Sequence, residues 1–258
     1  MSSVRTEIAG NRAIVTLARP ERHNAFDDSM IVELTVAFEK AGAAPAVRVI
    51  LLEAEGASFS AGGDLGWMRR MADYSDDENR RDAQALAQLL HTIDTCPKPV
   101  IALVQGAAYG GGVGLIAACD IAIASANAIF AFPEVKLGLI PAVISPYVVR
   151  AMGARACRRY FLTAEKFSSA EALRHDLVHE VVSPELLGAA AERVIQALEE
   201  GGPGAQSDAK SLIRAVTDAE PDAALRDWTA QRIAALRASD EGREGLAAFL
   251  EKRRPRWR

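Results

Sequence analysis

Residues 59–65, Phe-Ser-Ala-Gly-Gly-Asp-Leu, and residues 106–114, Gly-Ala-Ala-Tyr-Gly-Gly-Gly-Val-Gly, form two glycine-rich turns that precede a Pro133-Glu134 step. Glycine adopts backbone angles closed to other residues and lets a ligand approach the main chain. Each turn can therefore point a backbone N–H at the same oxygen, for example a carbonyl that becomes an oxyanion. A helix starting at the second turn, over 112–119, would add the positive end of its dipole. Two such turns with one carboxylate favour a catalytic site over turns that only close tight corners.

The composition is that of a globular protein of one domain, or of one domain with an appendage. The chain has 258 residues, 50% of them hydrophobic, which is enough for a substantial core. Its formal net charge of −4 gives no general attraction to nucleic acid or anionic membranes. Cys96, Cys119 and Cys157 are odd in number and far apart, which predicts neither a disulfide framework nor a metal cluster and fits a cytoplasmic location. Since the sequence has no signal-peptide or membrane-spanning run, we expect a soluble protein.

Strand and helix patterns alternate through much of the chain. They predict strands at 12–17, 47–52, 100–104 and 121–124, with amphipathic helices between them. From about Pro184 the patterns are helical, and the predicted helices are 184–198, 208–217, 223–237 and 241–252. The glycine-rich segment 200–204 is the candidate linker. We therefore expect a core at 1–199 and a helical C-terminal region at 200–258.

Several short motifs occur in an order typical of one known family. They are Arg19-Pro20, Asn24-Ala25-Phe26, the two glycine turns with Cys119-Asp120, Pro133-Glu134 with Leu137-Gly138, and residues 248–253. Together they resemble the enoyl-CoA hydratase/isomerase superfamily, the crotonases, over nearly the whole chain. The resemblance implies an α/β fold, the crotonase ββα superhelix, whose helical C-terminal region covers the site and mediates trimerisation. The assembly it implies is a homotrimer or a homohexamer.

The resemblance also implies an acyl-CoA substrate, with no separate cofactor. No metal is expected, because the four histidines, His23, His91, His175 and His179, form no convincing ligand pair, and lone histidines are more often surface or packing residues. The thioester carbonyl would lie between two backbone N–H groups that correspond here to Gly63 and Gly111, the first donor lying within 61–63. The substrate- and CoA-binding residues implied by the match are Ala25, Ala61, Gly62, Asp64, Leu65, Gly110, Phe249 and Lys252. Phe249 and Lys252 would approach the adenine and the 3′-phosphate, where a cation pairs with phosphate. Neither nucleic acid nor a membrane is an expected partner.

Large side chains near the two turns are candidates for the acyl pocket. Trp67, Met68 and Met71 follow the first turn at helical spacing, and Tyr109 lies within the second turn. Core packing is the more common role of such a stripe. The sequence leaves both roles open for these residues.

Glu134 is the candidate acid/base. It follows Phe130, Phe132 and Pro133, apolar neighbours that would raise the pKa of its carboxyl toward the working pH. The resemblance assigns it proton transfer at the carbon next to the thioester. Many hydratases carry a second glutamate where this chain has Gly114. Either one carboxylate serves both water and proton, or another group supplies the second function, or the reaction needs one acid/base, as in double-bond isomerisation.

Residues 135–146, Val-Lys-Leu-Gly-Leu-Ile-Pro-Ala-Val-Ile-Ser-Pro, resemble the corresponding stretch of bacterial methylglutaconyl-CoA hydratases of leucine degradation. This favours a lyase that adds water across the 2,3 double bond of an enoyl-CoA, such as 3-methylglutaconyl-CoA or a similar branched thioester. The alternatives are a Δ3,Δ2-enoyl-CoA isomerase of fatty acid metabolism, an acyl-CoA decarboxylase, and a non-catalytic scaffold that binds RNA or a partner. Dinucleotide, P-loop and α/β-hydrolase motifs do not occur at the places their chemistry requires.

Overall fold

Two β-sheets form the framework of the first part of the chain in the computed structural model, which describes residues 2–257. The strands are β1 (Val4–Ala9), β2 (Arg12–Leu17), β3 (Val49–Ala54), β4 (Ser58–Ser60), β5 (Val100–Val104), β6 (Ala107–Tyr109), β7 (Ile121–Ser125), β8 (Ile129–Ala131), β9 (Phe167–Ser168) and β10 (Glu180–Val182). The larger sheet has the order β1-β2-β3-β5-β7-β10, and the smaller sheet has the order β4-β6-β8-β9. The pairs β1–β2 and β8–β9 are antiparallel, and the remaining neighbours are parallel.

The central strands of the larger sheet are continuous apolar runs. All five residues of β5 are buried, as are the first four of β3. Parallel strands covered by helices on both faces require such runs instead of an alternating pattern. Each fully buried Val, Leu or Ile side chain contributes about 1.5–3 kcal/mol, so this sheet anchors the core.

The chain winds through both sheets in repeated ββα units. Each unit gives one strand to the larger sheet, one short strand to the smaller sheet, and then a helix. The helices that follow β4, β6 and β8 are α2 (Leu65–Met71) with α3 (Asp76–Asp94), α4 (Gly111–Ala118), and α5 (Ser145–Thr163). This arrangement confirms the α/β ββα superhelix implied by the sequence motifs.

The smaller sheet brings the sequence motifs together. β4 pairs in parallel with β6, and β6 pairs in parallel with β8. Because parallel strands end at the same edge of a sheet, the segments that follow them lie side by side. Those segments are 61–64, Gly110-Gly111 and Pro133-Glu134, and ligands commonly bind outside such carboxyl ends.

Side chains cap most helices near this edge, but not α4. Asp27 accepts a hydrogen bond from the Met30 N–H at the start of α1 (Asp28–Ala43), and Ser75 with Glu78 forms a capping box on α3. Within residues 2–257, no side chain caps α4, which begins after Gly110. The first N–H groups of α4 are therefore left for another acceptor.

The chain divides into two compact units, the first ending at Glu192 and the second beginning at Arg193. The division falls inside α7 (Leu187–Glu200), which follows α6 (Ser169–Arg174), whereas the composition placed the boundary at 199/200. The second unit contains α8 (Pro203–Val216), α9 (Ala223–Ala238) and α10 (Asp240–Leu250). Within it, the Glu241 carboxylate accepts hydrogen bonds from the N–H groups of Gly204 and Ala205, 2.9 and 2.8 Å away, at the start of α8.

The predicted secondary structure is largely confirmed. The strands expected at 12–17 and 100–104 have those bounds, whereas the strand expected at 47–52 is Val49–Ala54. The helix expected at 112–119 begins one residue earlier, at Gly111, and the four C-terminal helices are present with shifted ends. Among the described helices, none combines the length and apolar character needed to cross a bilayer.

Candidate active site

A cavity of about 700 Å³ opens at the carboxyl edge of the smaller sheet, and we call it the Glu134 cavity. The expected site residues that line it are Ala61, Gly62, Gly63, Leu65, Trp67, Met68, Met71, Gly110, Gly111 and Glu134. Among the lining residues of the described chain, Glu134 is the one ionisable side chain and most of the rest are apolar. The wall therefore suits an apolar group held beside one carboxyl.

The N–H of Gly63 is unpaired and lies in the first glycine turn. Phe26 and Gly63 form an isolated parallel bridge, in which the Phe26 N–H donates to the Gly62 carbonyl at 2.9 Å and the Asp64 N–H donates to the Phe26 carbonyl at 3.0 Å. Successive N–H groups of an extended chain point in opposite directions, so the Gly63 N–H is directed away from Phe26. No acceptor within residues 2–257 binds it.

The N–H of Gly111 is unpaired for a different reason. Gly111 is the first residue of α4, where the geometry of a helix leaves N–H groups without an intrahelical partner. Gly110 makes the turn with a φ of +50°, a value that favours glycine, and donates its own N–H to the Ala131 carbonyl at 3.0 Å. In the described part of the chain, nothing accepts a hydrogen bond from the Gly111 N–H.

The two turns touch each other, which places both unpaired N–H groups at one site. A Cβ atom added to Gly62, whose φ is +84°, would lie 2.9 Å from the Tyr109 carbonyl oxygen and 4.0 Å from the Gly111 nitrogen. Because any side chain at Gly62 would push the turns apart, the close approach depends on glycine there. Gly63 and Gly111 therefore lie on adjoining turns and both line the Glu134 cavity. Two backbone donors at one site are what an oxyanion hole requires.

Glu134 begins a short 3-10 turn, Glu134–Leu137, directly after Pro133. Its Oε2 atom is buried and has no hydrogen-bond partner within residues 2–257. Its Oε1 atom lies 2.8 Å from the position that a Cβ on Gly110 would take, so the carboxyl packs against the second glycine turn. Burial raises the pKa of Glu134, opposed only in part by a hydrogen bond to a backbone group. A carboxyl with a raised pKa in an apolar wall is suited to proton transfer near neutral pH.

The Gly114 position cannot take a second carboxylate in this structure. Gly114 is buried inside α4, and a Cβ there would lie 2.3 Å from Cγ2 and 2.8 Å from Cβ of Ile144. Ile144 is 3% exposed and lines the Glu134 cavity. Ile144 therefore fills the space into which a side chain at 114 would grow.

Two expected ligand-binding residues lie behind the first turn and do not line the Glu134 cavity. Ala25 is buried in the neighbouring loop, to which the turn is tied by a hydrogen bond from the Ala61 N–H to the His23 carbonyl, 2.9 Å long. The Asp64 carboxylate caps α2 through the N–H groups of Gly66 and Trp67 and pairs with Arg22 at 2.9 Å. Burial would raise the pKa of Asp64, but these bonds outweigh it and lower the pKa. In this state Asp64 shapes the turn, and a direct role of either residue with CoA stays a prediction.

The other expected residues outside the Glu134 cavity are Tyr109, Phe249 and Lys252. Tyr109 lines a second cavity of about 300 Å³, where Nζ of Lys166 lies 5.5 Å from the centre of its ring. Phe249, in α10, is 79% exposed, and Lys252 follows that helix with a φ of +53°. Their roles with substrate stay predictions.

The structure adds wall residues that sequence reasoning did not assign to the site. Segment 137–144 forms one wall, Phe26 another, and Asn79, Ala83 and Leu86 of α3 also line the cavity. The sequence indicates segment 137–144 only through a resemblance, although three apolar residues soon after the candidate carboxylate, Leu137, Leu139 and Ile140, are a usable signal. The structure leaves these three side chains exposed. The α3 residues gave no signal, because their spacing is also that of ordinary core packing.

No metal site is evident in the part of the chain described. Within residues 2–257, no group of three or more His, Cys, Asp or Glu side chains is arranged to hold a metal ion. The described residues bring two unpaired backbone N–H groups, one carboxyl and a largely apolar wall to the Glu134 cavity.

The fold thus places two unpaired backbone N–H groups and one buried carboxyl oxygen at a single, largely apolar cavity. The sequence matches the enoyl-CoA hydratase/isomerase family over residues 7–258. The chain belongs to this family, the crotonase superfamily, whose members act on acyl-CoA substrates.

Individual relatives agree with that assignment over nearly full lengths. A crystal structure of an enoyl-CoA hydratase from Shewanella pealeana is similar with a TM-score of 0.97 and 46% identity, covering 99% of this chain and 96% of that one. The enoyl-CoA hydratase ACTT6 of Alternaria alternata is 36% identical over 91% of this chain and 77% of its own length. The short-chain-enoyl-CoA hydratase of Clostridium acetobutylicum is 31% identical over 98% of this chain and 97% of its own.

Proposed function

We propose that this protein is an enoyl-CoA hydratase in which Glu134 is the single acid/base of the active site. The observation that supports it most directly is the unpaired, buried Oε2 of Glu134 in the same cavity as the unpaired N–H groups of Gly63 and Gly111. The names of the relatives support hydration as the reaction. Coenzyme A enters as part of the substrate, and the proposed reaction uses no separate cofactor.

In the proposed reaction the Gly63 and Gly111 N–H groups bind the thioester carbonyl oxygen. The Glu134 carboxylate takes a proton from water as the water oxygen bonds to the β-carbon. The π electrons of the 2,3 double bond move to the α-carbon and the carbonyl, forming an enolate whose oxygen the two N–H groups stabilise. Glu134 then returns the proton to the α-carbon, so one water is added and the carboxylate is regenerated. Each backbone donor of this kind is worth about 2.7–4 kcal/mol in the transition state.

The lining of the Glu134 cavity favours an uncharged acyl chain. 3-Methylglutaconyl-CoA, which residues 135–146 suggest, carries a free carboxylate at the far end of its acyl chain, and a carboxylate in an apolar wall needs a cationic partner. Among the lining residues within 2–257 there is no Lys, Arg or His. We therefore expect crotonyl-CoA to be hydrated with a higher kcat/KM than 3-methylglutaconyl-CoA. The latter is the one specific substrate that residues 135–146 suggest, and the same assay tests it.

Double-bond isomerisation is the second candidate, and one specific observation favours it. Glu134 is the sole carboxylate lining the cavity in the described chain, and Ile144 closes the place of a second one at Gly114. A Δ3,Δ2 shift needs only one group that removes a proton from the α-carbon and returns it to the γ-carbon. An apolar wall that keeps water out would serve that reaction as well.

Absorbance of the conjugated enoyl-thioester distinguishes these reactions. We expect the absorbance of crotonyl-CoA to fall as the enzyme converts it to the 3-hydroxyacyl thioester. Glu134→Gln should lower the kcat of this reaction about 10²–10⁴-fold. If the absorbance instead rises with a 3-enoyl-CoA, and does not fall with crotonyl-CoA or with 3-methylglutaconyl-CoA, the protein is an isomerase. Near-normal turnover by Glu134→Gln would refute the role of Glu134 in either reaction.

A matched pair of variants tests the Gly111 donor by itself. Proline is well tolerated at the first residue of a helix and lacks the N–H, so Gly111→Pro removes one donor. Because a Cβ at 111 would lie 2.2 Å from Cζ of Phe26, both Gly111→Pro and Gly111→Ala are made in a Phe26→Leu background. We expect the proline variant to have a kcat about 10²–10³-fold below that of the alanine variant. Equal kcat values in the two folded proteins would remove Gly111 from the oxyanion hole.

A further inference from the structure

A cavity of about 500 Å³ in the first unit is lined by arginine side chains and shares no lining residue with the Glu134 cavity. We call it the arginine cavity. Arg155, Arg158 and Arg159 reach it from α5, and Arg174, with His175, reaches it from the end of α6. Four arginines therefore line one concavity of a chain whose formal net charge is −4.

Two of the four arginines lack an acidic partner. Arg159 forms an ion pair with Glu165 at 2.5 Å, and Arg174 lies 3.7 Å from Glu171. The side chains of Arg155 and Arg158, both in α5, form no ion pair and no hydrogen bond with any residue within 2–257. Like charges so placed repel each other unless an anion lies between them, so the cavity has unused capacity to bind negative charge.

The floor of the arginine cavity is apolar. Met152 and Ala156, in α5 like three of the four arginines, are 6% and 7% exposed. The ring of His175 stands edge-on to Tyr160, with the two ring centres 5.8 Å apart. The cavity thus offers a small apolar floor inside a cationic rim, and such a site suits a ligand that has a ring or apolar part as well as an anionic part.

We propose that the arginine cavity binds a small phosphorylated molecule that carries a ring, as a nucleoside phosphate does. Guanidinium groups match phosphate oxygens in a bidentate geometry and stack on planar rings. A volume of about 500 Å³ is in the range of small-molecule sites. The phosphates of coenzyme A and those of a free nucleotide share this chemistry, and the test separates the two sources.

Isothermal titration of the full chain with ADP, tripolyphosphate and adenosine tests the proposal, each with and without saturating free CoA. We expect ADP to bind more tightly than tripolyphosphate, adenosine not to bind, and the affinity for ADP to be unchanged by CoA. Arg155→Ala/Arg158→Ala should weaken ADP binding at least tenfold. The matched control, Arg80→Ala/Arg81→Ala, removes two exposed positive charges from α3 and should leave it unchanged.

Three results would overturn the proposal. Equal affinity of the Arg155/Arg158 variant and the native chain for ADP would show that the cavity is not the site. Complete competition by CoA would assign the phosphate chemistry to coenzyme A itself. Binding of a single-stranded oligonucleotide that is tighter than that of ADP, and is lost in the same variant, would assign the surface to nucleic acid.

Discussion

The contact between Gly114 and Ile144 predicts a strong energetic coupling between two positions 30 residues apart in sequence. A Cβ at 114 would lie 2.3 Å from Cγ2 and 2.8 Å from Cβ of Ile144, distances that real side chains do not adopt. Overpacking of this kind costs about 1–3 kcal/mol, and alanine regains about 1 kcal/mol over glycine within a helix. Gly114→Ala alone should therefore lower the free energy of unfolding by about 0–2 kcal/mol.

Ile144→Gly removes the colliding atoms, and the next nearest atom, Cα of residue 144, lies 3.8 Å from the added Cβ. Alone, it should cost about 2–5 kcal/mol because it leaves a cavity in the wall. In the double variant the new methyl group no longer collides and fills part of that cavity. We expect the double variant to be more stable than the sum of the single changes by about 1–3 kcal/mol.

Urea denaturation of the four proteins measures this coupling, with Gly188→Ala as the control. Gly188 is in α7, and a Cβ there meets nothing within 4 Å, so its effect should add to that of Ile144→Gly. Additivity of Gly114→Ala and Ile144→Gly to within about 0.5 kcal/mol would refute the packing argument. A confirmed coupling would mean that the Ile144 side chain prevents Gly114→Glu from placing a second carboxylate at the Glu134 cavity. In the Ile144→Gly background the colliding atoms are gone, and Gly114→Glu could be accommodated.

Four further predictions follow from the structure. Burial raises the pKa of Glu134 above 4.5 in the folded state, so the native protein loses stability as pH rises from 4.5 through the raised pKa. Urea denaturation at a series of pH values should show Glu134→Gln gaining stability relative to the native protein as pH rises above 4.5, and a constant difference would contradict this. The pKa of Asp64 is lowered, so its contribution to the free energy of unfolding is fully present above pH 3.8 and is lost as pH falls through the lowered pKa. Asp64→Asn should therefore lower the free energy of unfolding by about 1–3 kcal/mol at pH 7 and by much less in acid. Thermal melts at the two pH values measure this difference, and an equal loss at both would contradict it. Lys136 holds the turn that carries Glu134, because its Nζ donates a hydrogen bond to the Ala164 carbonyl at the end of α5, 3.0 Å away. We expect Lys136→Met to lower kcat more than it raises KM, and Lys136→Arg to keep both values. An unchanged kcat in Lys136→Met would exclude this positioning role. Leu246 in α10 is a large apolar side chain that is 61% exposed, and we expect it to be covered by another subunit. Light scattering should give the mass of a homotrimer or homohexamer for the native protein and a smaller mass for Leu246→Asp. A monomeric native protein would refute the expected assembly.

The sequence was informative where backbone conformation is dictated by residue type. The turns at 59–65 and 106–114 could be located because a φ of +84° at Gly62 and of +50° at Gly110 favours glycine. The buried strand at 100–104 was found with its correct bounds because a parallel strand covered on both faces requires a continuous apolar run. The order of the turns and Glu134 along the chain, together with the family resemblance, predicted that they belong to one site. Their contact in space depends on the parallel pairing of strands of three residues.

Contacts made far along the chain could not be read from the sequence. The short strands β4, β6 and β8 have three residues each, too few for a periodic pattern. The Asp64 carboxylate is read equally well as a ligand or as a cap, and only the positions of Arg22, Gly66 and Trp67 distinguish these roles. The packing of Ile144 on Gly114 joins two segments whose local sequences do not indicate the contact.

The site combines groups that each lower stability in the absence of a ligand. Two backbone N–H groups without acceptors and one buried carboxyl oxygen without a partner are unfavourable in a folded protein. All three line one cavity, and a thioester would supply the missing acceptor for the N–H groups. Because the surrounding wall is largely apolar, electrostatic interactions in it are stronger than in water. In the proposed reaction, the same burial that raises the pKa of Glu134 would strengthen the hold of Gly63 and Gly111 on a developing negative charge. The wall formed by segment 137–144 would then contribute to that reaction without a polar contact to the reacting atoms.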